Sequence, residues 1–322
     1  MSAEEMDDAI RFPGHARAAV REGDTIRSTL EPVGPRESIG GFLARNATRF
    51  GERVAFREKH GGRFVGVTWE DLLCDVVAFG RYLASCGIGR GDRVAVVSPN
   101  RGEMLVAEFA TMCLGAIFVP IFPGYPVEQT RALIEHSGAA AIVLSDSEQL
   151  ARVHIPDDIR AVVSFEPIAR ATLDDILGAR TGSFSTLRAA LRRNAIDGQD
   201  DLRVKMFLWS AARVEPDEPC LMMYTSGTSG LQKGVLLTHD NILSQQRGLS
   251  AVWTISPGDR MLSYLPWHHS FGGIFEKYAA LYNGAVLHLD DSFGKENASI
   301  TEMNDANAAL DRSIPPVRIT RV

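Results

Sequence analysis

The sequence predicts an α/β fold in which parallel or mixed sheets are flanked by helices. Short apolar runs rich in β-branched residues, such as residues 94–97 and 116–121, alternate with segments of helical spacing. Runs without polar alternation are typical of strands that are buried on both faces of a sheet. Short connections rich in Gly, Pro, Asp and Asn join these segments, which favours strand–helix–strand units with right-handed crossovers.

The individual elements follow from local signals in chain order. Regular patterning begins near Ile39, and Thr68 with Asp71 three residues later forms a capping-box signal at the start of a helix. Gly87 and Gly89 end that helix. The next predicted elements are a strand at 94–97, a helix at 102–114, strands at 116–121 and 140–144, and between them a helix at 127–136.

The second half of the chain is less regular. Residues 161–165 predict a strand and residues 184–193 a basic amphipathic helix, and the rest of 151–219 is predicted to be connecting material. We predict three regions: a flexible N-terminal arm over 1–36, a domain over 37–291, and a disordered tail over 292–322. The tail is rich in Asn, Asp, Glu and Ala, and its composition changes abruptly.

Composition excludes several classes of protein. With 322 residues, 45% hydrophobic and 23% charged, the chain has ordinary globular composition, and its net charge of −6 argues against a nucleic-acid partner. The acidic N-terminus has no apolar signal region, and no apolar run is long enough to span a membrane. We therefore expect a cytoplasmic protein, for which peripheral membrane contact stays open. The four scattered cysteines predict reduced thiols.

A glycine- and hydroxyl-rich loop lies between two apolar, strand-like runs at 220–224 and 235–237. Glycines let backbone N–H groups turn toward an anion, hydroxyls donate to phosphate oxygens, and a lysine supplies positive charge. The pattern therefore predicts phosphate binding. The candidate residues are Thr225, Ser226, Gly227, Thr228, Ser229, Gly230 and Lys233.

Two other interpretations of this loop fit less well. A flexible Ser/Gly linker is not usually held between two strand-like runs. A Walker A loop requires Gly-Lys followed by Ser or Thr, whereas here Gln232 precedes Lys233 and Gly234 follows it.

A second candidate segment covers residues 264–273 and contains the adjacent histidines His268 and His269 beside Trp267 and Phe271. Taken alone, the pair suggests either a metal site or a packed aromatic corner. No Cys, Asp or Glu partner lies at ligand spacing, so a metal is disfavoured.

Both segments resemble the adenylate-forming superfamily, which includes acyl-CoA synthetases, luciferases and peptide-synthetase adenylation domains. Residues 224–234 resemble its phosphate-binding signature YTSGTTGxPKG, with Ser229 and Gln232 as departures, and residues 265–272 resemble its LPxxHxFG motif. The resemblance implies that His269 lies near the acyl and α-phosphate pocket, where it contributes positioning and polarity. It gives no role to His268, and some long-chain enzymes carry Glu at the position of Gly272.

The resemblance covers about residues 38–291. The upstream segments of the chain are similar to those of fatty-acyl-CoA synthetases. It implies an incomplete N-terminal large domain of the adenylate-forming fold. It further implies a ligase that uses ATP, Mg²⁺ and CoA to activate a carboxylic acid, and the expected substrate is a fatty acid. The family's later YGxTE-like Mg²⁺ segment, TGD ribose segment and C-terminal lysine are not found after Asp291. We therefore expect an inactive, truncated or frame-shifted product without a Mg²⁺ ligand.

Two alternatives remain open from the sequence. The first is a non-catalytic nucleotide- or acyl-binding protein, or one half of a split ligase. The second is a peptide-synthetase-type adenylation fragment, against which the fatty-acyl-like upstream region argues.

Overall fold

The computed structural model describes residues 19–22, 25–28, 31–60, 63–178, 184–196, 198, 201–225 and 232–289. The strands in this part of the chain are β1 Ala19–Glu22, β2 Thr25–Ser28, β3 Val54–His60, β4 Arg63–Thr68, β5 Arg93–Val97, β6 Ile117–Ile121, β7 Ala141–Leu144, β8 Ala161–Ser164, β9 Phe184–Thr186, β10 Pro219–Thr225, β11 Lys233–Thr238, β12 Arg260–Ser263 and β13 Val286–Leu289. The α-helices are α1 Ile39–Phe50, α2 Trp69–Ser85, α3 Gly102–Cys113, α4 Val127–Ser137, α5 Ser147–Arg152, α6 Arg170–Leu177, α7 Leu187–Arg193, α8 Leu202–Ala211, α9 His239–Val252 and α10 Lys277–Tyr282. A π-helix, Phe271–Glu276, directly precedes α10.

The larger sheet has seven strands in the order β11-β10-β6-β5-β7-β8-β9. Every neighbouring pair is parallel except the β10–β11 hairpin at one edge. The chain leaves β5 through α3 to β6 on one side, and then crosses through α4 to β7 on the other side. The order of strands therefore reverses around β5, which is where α/β sheets usually bind ligands.

The smaller sheet has the order β12-β13-β3-β4 and is mixed, since only β3 and β4 run antiparallel. The predicted mixed α/β architecture is thus confirmed. Strands β1 and β2 form a separate antiparallel ribbon. This ribbon lies in the segment 1–36, for which the sequence predicted no regular element.

Helices α1, α2 and α3 lie between the two sheets. One continuous core joins Phe56 and Leu287 of the smaller sheet to Val96 of the larger sheet through Phe79 and Phe109 of α2 and α3. A second core covers the opposite face of the larger sheet, where side chains of α4, α5 and α6 pack against β5, β6, β7 and β8. The larger sheet therefore has helices on both faces, as parallel sheets require.

The cap of α2 has the predicted chemistry. The Thr68 hydroxyl accepts from the Asp71 N–H at 3.0 Å, and the Asp71 carboxylate accepts from the Thr68 N–H at 3.4 Å. The helix predicted at 102–114 and the strands predicted at 94–97, 116–121, 140–144 and 161–165 are each observed within one or two residues.

The prediction for residues 151–219 was wrong in two respects. Helices α6 and α8 form where only connecting material was expected, and residues 184–186 form strand β9 rather than the first turn of a helix. These elements are short, and short helices are stabilised by tertiary packing more than by their own propensity. Strand β9 is fixed by pairing with β8, for example Ser185 beside Val163.

The four cysteines are free thiols. Cys113 and Cys220 are buried, and burial raises the pKa of Cys113 to about 12 and that of the half-buried Cys74 to about 11. Thiols held protonated in this way are poor nucleophiles. In the described part of the chain no helix is both long and apolar enough to cross a bilayer.

Candidate functional site

The β10–β11 hairpin carries the predicted phosphate loop. Thr225, the last residue of β10, lies directly opposite Lys233, the first residue of β11. The two predicted residues therefore lie where the loop begins and ends. The remaining predicted residues, Ser226, Gly227, Thr228, Ser229 and Gly230, lie outside the described residues.

Three parallel strands end at the same edge of the sheet. Strand β10 pairs with β6, and β6 pairs with the central strand β5, all in parallel. Their carboxyl ends therefore bring together Thr225 at the end of β10, Phe122 after β6 and Asn100 shortly after β5. This edge also lies at the reversal of strand order, so it is the expected ligand crevice of the fold.

Tyr224 anchors the strand that leads into the phosphate loop. Its hydroxyl donates to the carbonyl of Leu133 at 3.2 Å and lies 2.9 Å from the His136 Nδ1, both on α4. Partial burial raises the pKa of Tyr224 to about 12. Tyr224 thus holds β10 against α4.

Asn100 joins the central strand β5 to residues 264–273, which we call the histidine segment. Its Nδ2 donates to the carbonyl of Leu265 at 2.7 Å, and its Oδ1 accepts from the backbone N–H of Trp267 at 2.9 Å. The side-chain amide thus pairs with the backbone as a neighbouring strand would. Because Asn100 lies at the carboxyl end of β5, this pairing places the histidine segment at the crevice.

His268 packs as an aromatic side chain. Its ring lies 4.6 Å from the Phe122 ring and 6.3 Å from the Tyr125 ring, measured between centroids. Burial, with a smaller contribution from neighbouring His269, lowers the pKa of His268 to about 4. The imidazole is therefore neutral near pH 7, and the packed aromatic corner is the interpretation that the structure supports for this residue.

His269 has the opposite environment. Its side chain is exposed, whereas its backbone is fixed, since its N–H donates to the Pro266 carbonyl at 3.1 Å and its carbonyl accepts from the Gly273 N–H at 2.8 Å. An exposed imidazole on a rigid backbone is available to a ligand that enters the crevice. The structure places His269 on the loop that Asn100 holds at this edge.

The π-helix after the histidines packs directly on their loop. A Cβ at Gly272 would lie 2.6 Å from the Leu265 carbonyl oxygen, and a Cβ at Gly273 only 2.1 Å from the Trp267 carbonyl oxygen. Neither position accepts a side chain without backbone movement. The Gly273 position also lies 3.3 Å from Met223 Cε of β10, so the π-helix joins the histidine loop to the phosphate hairpin. Single-turn π-helices are frequent at functional sites.

A buried ion pair lies below this loop. Lys277 pairs with Glu108 of α3, and the Tyr278 hydroxyl donates to the other oxygen of Glu108 at 2.7 Å. The Lys277 ammonium lies 4.7 Å from the centre of the Trp267 ring, whose indole N–H donates to Ser263 at 2.9 Å. Burial lowers the pKa of Lys277, and Glu108 opposes this effect.

Glu276 is a second buried acid beside the site. Burial raises the pKa of Glu276 to about 7, although hydrogen bonds from Ser263 and from the Leu265 and Tyr264 backbone act in the opposite direction. This carboxyl therefore changes its charge near neutral pH directly behind the histidine segment.

His239 has a structural role. It is fully buried, its Nδ1 accepts from the backbone N–H of Ile39 at 3.1 Å, and burial lowers its pKa to about 4. Within the described ranges, no group of three or more His, Cys, Asp or Glu side chains is arranged to hold a metal ion.

Comparison with known proteins agrees with this geometry. The family described as AMP-binding enzyme matches residues 43–306 of the chain. The chain belongs to the AMP-binding enzyme family. The family match extends past residue 291, where the sequence analysis placed the end of the domain.

Relatives in this family include several acid–CoA ligases. The long-chain-fatty-acid–CoA ligase FadD15 of Mycobacterium bovis is 30% identical over 252 residues, 74% of this chain and 37% of that protein. The fatty acyl-CoA synthetase A of Dictyostelium discoideum is 25% identical, covering 83% and 39%. The mitochondrial malonate–CoA ligase ACSF3 of Bos taurus is 28% identical, covering 89% and 45%. The chain spans about half the length, or less, of these curated relatives.

Solved structures show the same fold. A structure described as a long-chain-fatty-acid CoA ligase of Rhodopseudomonas palustris matches with a TM-score of 0.65 and 18% identity, over 85% of this chain and 61% of that one. The complex of VinN with L-aspartate matches with a TM-score of 0.62 and 20% identity, over 86% and 61%. The architecture is therefore that of the N-terminal domain of adenylate-forming enzymes.

Three features of the site were not found from the sequence. Asn100 ends a Ser-Pro-Asn turn after an apolar run, Glu108 lies within an apolar helical run, and Glu276 precedes another such run. A charged residue inside an apolar helical pattern is a usable signal, since a buried charge needs a partner. The Asn100 pairing has no local signal, because its partners are more than 160 residues away.

Proposed function

We propose that this chain is the ATP-phosphate-binding part of an acid–CoA ligase. In the complete reaction a carboxylate oxygen attacks the α-phosphorus of ATP, the bond to pyrophosphate breaks, and an acyl-adenylate forms. The CoA thiol then attacks the acyl carbon and AMP leaves. The reaction needs donors and positive charge where the phosphates lie.

The observation that carries this proposal is the position of Thr225 opposite Lys233 at the carboxyl edge of β10. The loop between them supplies glycines and hydroxyls, and Lys233 supplies positive charge for the β- and γ-phosphates. In this proposal Thr225, Lys233 and the loop residues hold the phosphates. His269 lies beside the α-phosphate and the acyl group, where it contributes polarity.

We further propose a fatty acid as the substrate. Tyr264 and Phe271 lie on either side of the two histidines, and 48% and 47% of their surfaces are exposed. The Phe271 ring stacks on that of Phe275 at 4.8 Å. An apolar surface beside the reacting groups suits an aliphatic chain better than a small dicarboxylate. Two of the relatives are named for fatty acids, whereas a third is named for malonate.

The proposal for the 322-residue chain alone is phosphate binding without efficient turnover. The chain spans at most about half the length of its curated relatives. Mg²⁺ and CoA are then bound chiefly by parts that the resemblance places in other segments. The competing function, a nucleotide- or acyl-binding protein or half of a split ligase, shares the same site.

Acid-dependent exchange of labelled pyrophosphate into ATP tests this assignment. The purified chain is assayed with Mg²⁺ and with a long-chain fatty acid, an aromatic acid or malonate. We expect no exchange above a blank for the chain alone. Exchange with the fatty acid after addition of a C-terminal half from a relative would support the split-ligase form, and exchange by the chain alone would contradict the proposed incompleteness.

A further inference from the structure

The Tyr224 ring lies where the phosphate loop joins its two strands. Tyr224 directly precedes Thr225, and its partner on the opposite strand is Gly234, which directly follows Lys233. A Cβ at Gly234 would lie 3.4 Å from the Tyr224 ring. The ring is therefore one residue away from each end of the loop, and its position bears on both ends.

The Tyr224 hydroxyl has one proton and two polar neighbours on α4. Burial raises the pKa of Tyr224 to about 12, so the hydroxyl keeps its proton near neutral pH. It donates to the Leu133 carbonyl, which can only accept, at 3.2 Å. The His136 Nδ1 lies 2.9 Å from the same hydroxyl oxygen, and both contacts are hydrogen bonds only if this nitrogen is the donor. The geometry thus places a proton on the His136 Nδ1.

His136 lies in the last turn of α4, and the end of this helix is fixed to the central strand β5. Arg93, the first residue of β5, donates from Nε to the Ser137 carbonyl at 2.9 Å and from Nη2 to the Gly138 carbonyl at 2.6 Å. Gly138 ends the helix at φ 59°, and a Cβ there would lie 2.6 Å from the Arg93 guanidinium. His136 therefore stands on a rigid support.

We propose that His136 is a positioning residue for the phosphate loop. Its Nδ1–H holds the Tyr224 hydroxyl, and Tyr224 in turn holds the strand ends that carry Thr225 and Lys233. A loop whose ends are already in place binds an anion without first being ordered, so its affinity is higher. This inference rests on the proposed function of the loop as the ATP-phosphate site.

The exposure of His136 makes this role separable from a role in the core. Its side chain faces solvent, so replacing it opens no cavity among buried residues. Its ring also contacts the Tyr224 ring edge to face, with 5.6 Å between the centroids. A test must therefore separate the hydrogen bond from the ring contact.

Two replacements in the full chain make that separation. His136→Phe keeps an aromatic ring beside Tyr224 and removes the Nδ1 donor. His136→Asn removes the ring and keeps a side-chain N–H close to the position of Nδ1. His154→Phe is the matched control, because His154 is an exposed histidine that follows α5.

Two measurements are made on each protein. Titration calorimetry gives the affinity for Mg²⁺-ATP, and hydrogen exchange without ATP gives the protection of the Thr225 and Lys233 amides. His136→Phe should bind ATP about two- to ten-fold more weakly, the range expected for one hydrogen bond, and should exchange these amides faster. His136→Asn and His154→Phe should match the unmodified chain in both measurements.

Three outcomes would overturn the proposal. His136→Phe could match the unmodified chain in both measurements, His136→Asn could weaken ATP binding as much as His136→Phe does, or His136→Phe could lower only the free energy of unfolding in urea. An unmodified chain that binds no ATP would instead refute the proposed function. The exchange rates, measured without ATP, would then still decide whether His136 holds the ends of the loop.

Discussion

Asn100 and Trp267 are joined by a hydrogen bond of 2.9 Å from the Trp267 backbone N–H to the Asn100 side-chain oxygen. The same amide donates to the Leu265 carbonyl on the other side of Pro266. A single side chain thus fixes both ends of the three-residue turn that leads into the histidines. The histidine segment is consequently tied to the carboxyl end of the central strand.

Replacing Asn100 by Ala should release this turn. Two partly buried hydrogen bonds are lost, so we expect the free energy of unfolding to fall by about 1–3 kcal/mol. The Trp267 amide should exchange its hydrogen faster. Urea unfolding and hydrogen exchange measure the two effects.

Asn100→Asp is the matched control for this prediction. Aspartate still accepts from the Trp267 N–H but cannot donate to the Leu265 carbonyl. It should therefore keep more protection at the Trp267 amide than Ala does. Equal exchange rates for the Trp267 amide in all three proteins would show that Asn100 does not hold the turn.

Gly273→Ala should be strongly destabilising. Its new Cβ would lie 2.1 Å from the Trp267 carbonyl oxygen, a contact with backbone that only a shift of the histidine loop can relieve. We expect a loss of about 1–3 kcal/mol or more in the free energy of unfolding. Gly248→Ala is the control, since Gly248 lies inside α9 with no atom within 4 Å of its Cβ position. It should gain about 0.4–1 kcal/mol. Equal losses from both would refute the close packing of the π-helix.

The buried carboxyl of Glu276 should make the free energy of unfolding depend on pH. Burial raises its pKa from 4.5 to about 7, so the protonated carboxyl favours folding below pH 4.5 and this contribution is lost as the pH rises through about 7. The glutamine in Glu276→Gln stays neutral at every pH, so this variant does not lose the stabilising contribution. Relative to the unmodified chain, the variant should gain stability with increasing pH, by at most about 1.4 kcal/mol per pH unit.

The pH dependence of the unfolding free energy must be compared between the unmodified chain and Glu276→Gln. Burial lowers the pKa of His239 and His268 to about 4, and such groups contribute with the opposite sign, since their stability is lost as the pH falls below about 6.5. Both proteins share these histidines, so their contributions cancel. Parallel curves of unfolding free energy against pH would contradict the raised pKa of Glu276.

Lys277 should be intolerant of single replacement. Lys277→Met leaves the Glu108 carboxylate buried without its cation, which typically costs about 3–5 kcal/mol. Adding Glu108→Gln removes the remaining charge and keeps an acceptor for the Tyr278 hydroxyl. The double variant should therefore recover most of the loss in thermal or urea unfolding. A double variant that is as unstable as the sum of both single variants would indicate that the two residues do not interact.

The sequence predicted those parts of the fold whose signals are local. The Thr68–Asp71 cap, the buried strand at 94–97 and the strands flanking the phosphate loop all rest on residues close together in the chain. The pairing of Thr225 with Lys233 follows from the same hairpin.

Features that depend on distant residues were not predicted. Strand β9 exists because β8 lies beside it, and the roles of His268 and Asn100 are set by Phe122 and Trp267. For the histidine pair the sequence disfavoured a metal site, and the packing of His268 on Phe122 supports the aromatic corner. The assignment of His269 remains a prediction from the motif.

The most direct test of the central claim is titration calorimetry of the chain with Mg²⁺-ATP. We predict weak, saturable binding that Lys233→Met weakens about ten-fold or more, because a charge-assisted contact to phosphate is lost. Lys59→Met, on β3 of the other sheet, should bind as the unmodified chain does. If Lys233→Met binds ATP as tightly as the unmodified chain, the β10–β11 hairpin is not the phosphate site and the account is wrong.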